Sequence, residues 1–261
     1  EAQAPMANTS LTPVFPLLCA LSGLVVGGCA SVPEGAQDPR DPLQGYNRWM
    51  TSFNQDFDKA IYTPVAEGYK KITPEPVDQG VTNFFANQLD IVSFLNNVLQ
   101  LKPQQAASSL GRVTFNSTFG LLGVIDVATA MDIPRYREDF GQTLGHWGVG
   151  PGPYFVWPIL GPNTVRDSVG TVVGWYSTPV AYLEPAAWPW GLAILYSVDL
   201  RADLLGTSDI LQQAALDPYV FVRDAYLQKR LNDVYDGHPP NSNTEALFDE
   251  ILKEKSAAPA K

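Results

Sequence analysis

His146 and His238 are the only histidines, and Cys19 and Cys29 the only cysteines, in this 261-residue chain. A zinc site needs three or four converging nitrogen or sulfur ligands, and no HxxxH pair is present to begin one. Ser168, His146 and Asp139 are the residue types of a nucleophilic triad, which is recognised by geometry and not by order. The nucleophile elbow G-x-S-x-G is absent, because Arg166 stands where the first glycine belongs. Gly148-Val149-Gly150-Pro151-Gly152 fails as a dinucleotide fingerprint, since Pro153 occupies the third-glycine position. Asp41, Asp126, Asp139, Asp167 and Asp217 sit beside element ends and read as caps or salt-bridge partners. No catalytic residue, no metal ligand and no cofactor is therefore expected. The net charge is −10 and no Lys/Arg-rich run occurs. Nucleic-acid binding and electrostatic docking to anionic lipid both need a basic footprint, so both are excluded.

The remaining chemistry is at Cys29. Leu17 to Gly28 reads LLCALSGLVVGG, too short to span a bilayer but right for the apolar core of a signal peptide. It ends in Val26-Gly27-Gly28-Cys29, which resembles a bacterial lipobox, where the cysteine becomes the lipidated first residue of the mature protein. The usual positive n-region is missing, because residues 1–16 contain no Lys or Arg. Cleavage before Cys29 would remove Cys19 and leave a single cysteine, so no intramolecular disulfide is expected. Lipidation would cap the one thiol that remains in an oxidising compartment.

The second feature is Phe140 to Val165, FGQTLGHWGVGPGPYFVWPILGPNTV, which carries no charged side chain apart from a possible charge on His146. Pro151, Pro153, Pro158 and Pro162 exclude a long helix and make a poor strand. Gly145, Gly148, Gly150 and Gly152 free the backbone to turn and to approach other groups. An apolar, aromatic segment thus has an irregular backbone. Such backbone persists at membrane depth only where protein covers it or it lines a wet cavity. Arg166 and Asp167 follow and are positioned to anchor its end. The bland alternative is an ordinary loop over a soluble core.

The elements that must position these residues are helical. Trp49, Phe53, Phe57 and Ala60 give Tyr46 to Ala60 a helical period, interrupted by Pro64, with Ile72 to Val77 extended or turning. Val81 to Leu101 is the clearest amphipathic helix: Phe85, Leu89, Val92, Leu95 and Leu99 follow the period, and Asn83, Asn87, Asp90 and Asn97 lie mostly opposite. A second helix is expected over Gln104 to about Met131, and two more over Leu204 to Leu216 and Pro218 to Tyr235. Five of the six tryptophans lie between Trp147 and Trp190, a residue type that favours membrane boundaries as well as ordinary cores. No alternation long enough to build a sheet is seen. The expected organisation is a signal peptide over 1–28, a lipidated N-terminus and tether over 29–45, a helical body over 46–236 and a flexible tail over 237–261. Within that tail Ser242 and Glu245 resemble a capping box.

The ordered motifs resemble the VacJ/MlaA family of bacterial outer-membrane phospholipid-transport lipoproteins. They are Asp41-Pro42-Leu43 with Tyr46-Asn47-Arg48; Phe53-Asn54; Asn83-Phe84-Phe85; Gly111-Arg112 with Phe115-Asn116-Ser117-Thr118; Gly120 to Asp126; Phe140 to His146; Gly148-Val149-Gly150; Gly152-Pro153-Tyr154; Arg166-Asp167; and Asp217-Pro218-Tyr219 with Arg223 and Tyr226. The resemblance implies an all-α, ring-like bundle of amphipathic helices lying in the outer membrane. It implies a central channel that passes phospholipid from the outer leaflet to a soluble periplasmic carrier, with a trimeric porin as a further partner and no catalysed reaction. Within that picture Gly145, His146, Gly148, Gly150, Gly152 and Tyr154 are expected to form the channel or its gate. The helix from Val81 to Leu101 is expected to lie in the membrane plane. The competing readings are a membrane-anchored lipid hydrolase using Ser168, and a lipoprotein that only scaffolds porins.

Overall fold

The computed structural model describes residues 38–206 and 217–240. The signal peptide, Cys29, residues 30–37 of the tether, most of the Leu204–Leu216 helix and the capping box at Ser242 lie outside the described residues.

The chain enters at Asp38 and turns at once into α1 (Gln44–Phe57). Residues 38–45, expected to belong to a tether, are instead built into the body. Asp41 is fully buried and accepts hydrogen bonds from Asn47, Tyr219 and Arg223. Polar, proline-containing sequence reads as linker because two of these partners, Tyr219 and Arg223, lie more than a hundred residues away. From α1 the helical path runs unbroken through a π-helical turn (Asp58–Tyr62) into α2 (Thr63–Ile72). Pro64 does not interrupt it, because it follows the π-helical turn, where the Thr63 amide donates to the Asp58 carbonyl five residues back and the ladder shifts to accommodate a residue without an N–H.

α3 (Glu75–Leu99) begins earlier than its hydrophobic period suggests, with Pro76 in its first turn. It packs along α4 (Pro103–Thr118). The expected helix to Met131 ends at Thr118. Leu121, Leu122 and Gly123 take left-handed backbone (φ 52°, 58° and 98°), and a Cβ on Gly120 would lie 2.6 Å from the Asn116 carbonyl. A short α5 (Val127–Ala130) follows, capped by Asp126, which accepts from the Thr129 amide at 3.1 Å.

After α6 (Phe140–His146) comes a two-stranded antiparallel hairpin, β1 (Tyr154–Trp157) and β2 (Gly161–Thr164), with Val156 opposite Pro162. This corrects the expectation that residues 140–165 would be irregular throughout. The helix is short enough to finish before Pro151. In a two-stranded ladder each strand keeps one open edge, which tolerates proline. α7 (Val165–Tyr176), a 3₁₀ turn (Pro179–Tyr182), α8 (Ala187–Asp203) and α9 (Pro218–Val234) complete the described fold.

Many buried side chains are polar, and many large apolar ones are exposed. On α3, Asn87, Asp90, Ser93, Asn96 and Asn97 are buried, whereas Leu95, Val98 and Leu99 are exposed. An interfacial helix keeps its polar face toward headgroups and water; here that face points into protein. Arg112 of α4, 1% exposed, reaches Asp90 at 3.2 Å, Asp126 at 2.8 Å and the Ile133 carbonyl at 2.6 Å. Arg135 adds contacts to the same two carboxylates. Burial pushes the Asp90 carboxyl up despite both arginines. At Asp126 burial is outweighed by bonds from Thr129, Asn116 and Arg112, and the carboxyl is held at about 2. One apolar cluster joins Met50, Tyr154, Val156 and Tyr219, between α1, the hairpin and α9, and a second contact packs Phe85 of α3 on Tyr196 of α8, ring centroids 4.8 Å apart. Trp49, Phe119, Leu121, Leu122, Trp147, Leu160, Trp188 and Trp190 are exposed. No helix among the described residues is long and apolar enough to cross a membrane.

Candidate functional site

The segment singled out by its composition is fixed at both ends. Asp139 and Gln142 form a reciprocal capping box at the start of α6: the Gln142 amide donates to Asp139 Oδ1 at 2.8 Å, and the Asp139 amide donates to Gln142 Oε1 at 2.9 Å. Arg230 of α9 ties Asp139 (2.7 Å) to Asp167 (2.8 Å), and the Tyr226 hydroxyl also donates to Asp167 at 3.0 Å. Burial resists the charge on Asp167, but the bonds from Arg230 prevail and its carboxyl lies below the usual range. This crossing requires glycine. A Cβ on Gly141 would stand 2.6 Å from Asp167 Oδ1, and one on Gly145 would stand 2.8 Å from both Arg166 and Val234.

Between these anchors, residues 147–153 form an exposed loop. The Arg166 amide donates to the Pro151 carbonyl at 3.1 Å, and its guanidinium to the Val149 carbonyl at 3.4 Å. The Trp147 indole donates to the Leu99 carbonyl at 3.1 Å, yet its ring is exposed and meets His146 edge-on. His146 is exposed. Gly148 (φ 88°) and Gly152 (φ 68°) adopt backbone that disfavours other residues, whereas Gly150 does not; side chains at 148 and 150 would extend into open space.

The hairpin is held by two amides of α1 seven residues apart. Asn47 donates to the Tyr154 carbonyl at 3.2 Å and accepts from the Val156 amide at 2.9 Å. Asn54 donates to the Trp157 carbonyl at 2.8 Å and accepts from the Ile159 amide at 2.7 Å. In the sequence both stand within the family motifs, with no sign of these bonds to the hairpin. The available signal was their spacing, which places them on one helix face two turns apart.

Between α1, the π-helical turn, the hairpin, the end of α8 and the start of α9 lies a cavity of about 400 Å³. Its wall is largely aromatic and aliphatic, with Phe57, Tyr62, Val156, Ile159 and Phe221 among its members. Tyr154 also lies on this wall, although the residue is buried and its ring meets those of Tyr219 and Tyr226. The other expected gate residues, Gly145, His146, Gly148, Gly150 and Gly152, lie in α6 and the loop and not on it. Two opposite charges face it: Asp58 of the π-helical turn and Arg201 of α8. Arg201 Nε meets Asp58 Oδ1 at 2.6 Å and Nη2 meets Oδ2 at 2.8 Å, with Thr63 also accepting from Nη2 at 2.9 Å. These bonds hold the Asp58 carboxyl below its ordinary range against the opposing effect of burial. Sequence reasoning missed this pair, whose members are separated by most of the chain.

The triad candidates do not assemble. Ser168 Oγ donates to the Thr164 carbonyl at 2.6 Å and accepts from the Trp157 indole at 3.0 Å. Asp139 is committed to the cap and to Arg230, at the opposite end of α6 from His146. Among the described residues no group of three or more His, Cys, Asp or Glu is placed to hold a metal ion.

A family model described as MlaA lipoprotein matches residues 39–233. The chain belongs to the MlaA lipoprotein family. It is 35% identical over 249 residues to an intermembrane phospholipid transport system lipoprotein MlaA of Haemophilus influenzae, covering 91% of this chain and 97% of that one. It is 34% identical over 245 residues to the protein of the same description in Escherichia coli K12, covering 88% and 96%. A solved structure described as the structural basis for maintenance of bacterial outer membrane lipid asymmetry superposes with a TM-score of 0.67 at 34% identity, covering 74% of this chain and 98% of that one. The stretch matched by the MlaA model runs from the buried entry segment to α9, so the capped α6, the hairpin and the cavity all lie within it.

Proposed function

We propose that this protein is an outer-membrane lipoprotein, anchored through Cys29, that removes phospholipid from the outer leaflet and passes it to a soluble periplasmic carrier. A trimeric porin is the expected neighbour in the membrane. The ring of helices lies in the bilayer without spanning it, and a passage through the ring carries the lipid.

One observation carries this reading beyond family membership. Where α3 meets α4 the buried side chains are largely polar, Arg112 and its carboxylates among them, while the described body carries Leu99, Leu122 and Trp190 on its outside. Exposed apolar surface on this scale is costly in water and calls for a hydrocarbon or protein neighbour. A body that lies within one leaflet accounts for this surface, and no described helix is long and apolar enough to cross a bilayer. The cavity, with its aromatic wall and a few polar groups, suits an amphipathic ligand. Gly145, His146, Gly148, Gly150 and Gly152 form a gate at the membrane surface, and Arg166 with Asp167 holds that loop in register.

The test is phospholipid exposure on the surface of cells lacking the gene, rescued by wild type, by Cys29→Ala or by nothing. Exposure should rise on deletion and be reversed by wild type but not by equally expressed Cys29→Ala. No change across the three strains would overturn the transport reading.

A further inference from the structure

Resting on the transport reading, we propose that the cavity takes an acyl chain of the phospholipid and leaves the headgroup outside. Among the described residues the charged side chains on its wall are Asp58 and Arg201, and both are already engaged. Arg201 gives two hydrogen bonds to Asp58 and one to Thr63, and the Thr63 hydroxyl donates to Asp58 Oδ2 at 3.1 Å. A charged headgroup would have to open this network and strand one of its charges. Other polar groups of the wall are spent within the protein: Thr51 donates to the Asn47 carbonyl at 2.8 Å, Asn54 holds the hairpin, and the Tyr219 hydroxyl donates to Asp41. The Gln55 amide and the Tyr62 and Tyr154 hydroxyls remain, and none is charged. The rest is hydrocarbon and ring surface from Phe57, Val156, Ile159, Phe221 and Val222. An acyl chain that leaves a bilayer meets water unless protein covers it, and about 400 Å³ of such space, within the range of about 300–1,000 Å³ usual for small-molecule sites, covers part of one.

A path of rings leads to this wall. Tyr46, Trp49, Phe53 and Phe57 follow one another at helical spacing on α1, and the π-helical turn, with its five-residue repeat, sets Tyr62 against Phe57. Successive ring centroids lie 6.1–6.5 Å apart. Trp49 and Phe53 are exposed, whereas Phe57 and Tyr62 line the cavity, so aromatic surface runs unbroken from the outside of α1 to the wall.

The experiment places the full chain in phosphatidylethanolamine vesicles that carry one of two photoreactive phosphatidylethanolamines, with a diazirine midway along an acyl chain or on the headgroup. Labelled residues are mapped by mass spectrometry after illumination. The acyl probe is expected to label the cavity wall at Phe57, Val156 and Phe221, and the headgroup probe is not. Val222→Trp, which fills the cavity from α9, should lower acyl labelling of the wall about tenfold, the scale of overpacking, and leave labelling at Leu99 on the outer face unchanged. Wall labelling by the headgroup probe as strong as by the acyl probe, or acyl labelling confined to the outer face, would overturn the acyl-chain site while leaving transport standing. No labelling by either probe would overturn the transport reading with it. If Val222→Trp does not fold, the wild-type pattern of the two probes alone still decides the question.

Discussion

The wall made by α3 and α4 and the seam made by α1, the hairpin and α9 are built on opposite principles. In the wall, Asn, Ser, Asp and Arg side chains are buried beside Phe85 and Val92, and Leu95, Val98, Leu99 and Leu110 face outward. In the seam, Met50, Tyr154, Val156 and Tyr219 form a conventional apolar cluster, and Asn47 and Asp41 fix the backbone around it. The hydrophobic stripe of a helix does not by itself say which side is inside. On α3, Leu95, Val98 and Leu99 face away from the protein, while Asn87, Asp90, Asn96 and Asn97 are buried in it.

The comparison breaks first at Arg112. Arg112→Met leaves Asp90 and Asp126 buried with one cation fewer and the Ile133 carbonyl without its donor. A loss of about 3–5 kcal/mol in unfolding free energy is expected, measured by denaturant titration in detergent. In the seam, Met50→Ala should cost about 2–3 kcal/mol by the same measurement, the low end for emptying a buried site. A larger effect in the seam than in the wall would reverse the ranking of the two regions.

Acid sharpens the contrast. Asp126 is held at about 2, below its ordinary 3.8, so the unfolded chain binds more protons in that window. Its contribution of about 2 kcal/mol is complete above a pH of about 4 and is lost as pH falls toward 2. The stability difference between wild type and Asp126→Asn should therefore shrink across that interval. A constant difference would mean that the carboxylate is not what Arg112 holds.

Smaller effects test the outer face. Leu95→Gln, Val98→Gln and Leu99→Gln should each change stability in detergent by less than about 0.5 kcal/mol, yet lower association with lipid vesicles. A core-sized loss of stability would place that face inside the protein. In the loop, Gly148→Val strains backbone at φ 88°, whereas Gly150→Val does not and meets open space. Both should reduce transport if the loop gates lipid. If surface phospholipid rises only with Gly148→Val, the loop matters for its backbone shape and not for its clearance.

Much of the helical fold was legible because period and caps are local. The amphipathic pattern of α3, the proline that ends it and the Asp before α9 act within a few residues of their effects. Boundaries were missed where a distant partner intervened. Asp41 looked like linker until Tyr219 and Arg223 surrounded it, and the turn after Thr118 depends on Asn87 receiving the glycine at 123. The hairpin was hidden for the same reason, since Asn47 and Asn54 on another element supply the bonds that its prolines and short strands cannot.

The sequence alone determined the helical composition, the absence of a basic surface, the lipobox-like cysteine, the anomalous apolar segment and the motifs of the family. Each follows from residue type and near-neighbour spacing. Only the tertiary structure decided which face of α3 is inside, that Asp58 and Arg201 share a cavity wall, and that Ser168 is bonded away from His146. These depend on which distant side chains become neighbours, because the cost of burying a charge or an amide is set by the partner it finds.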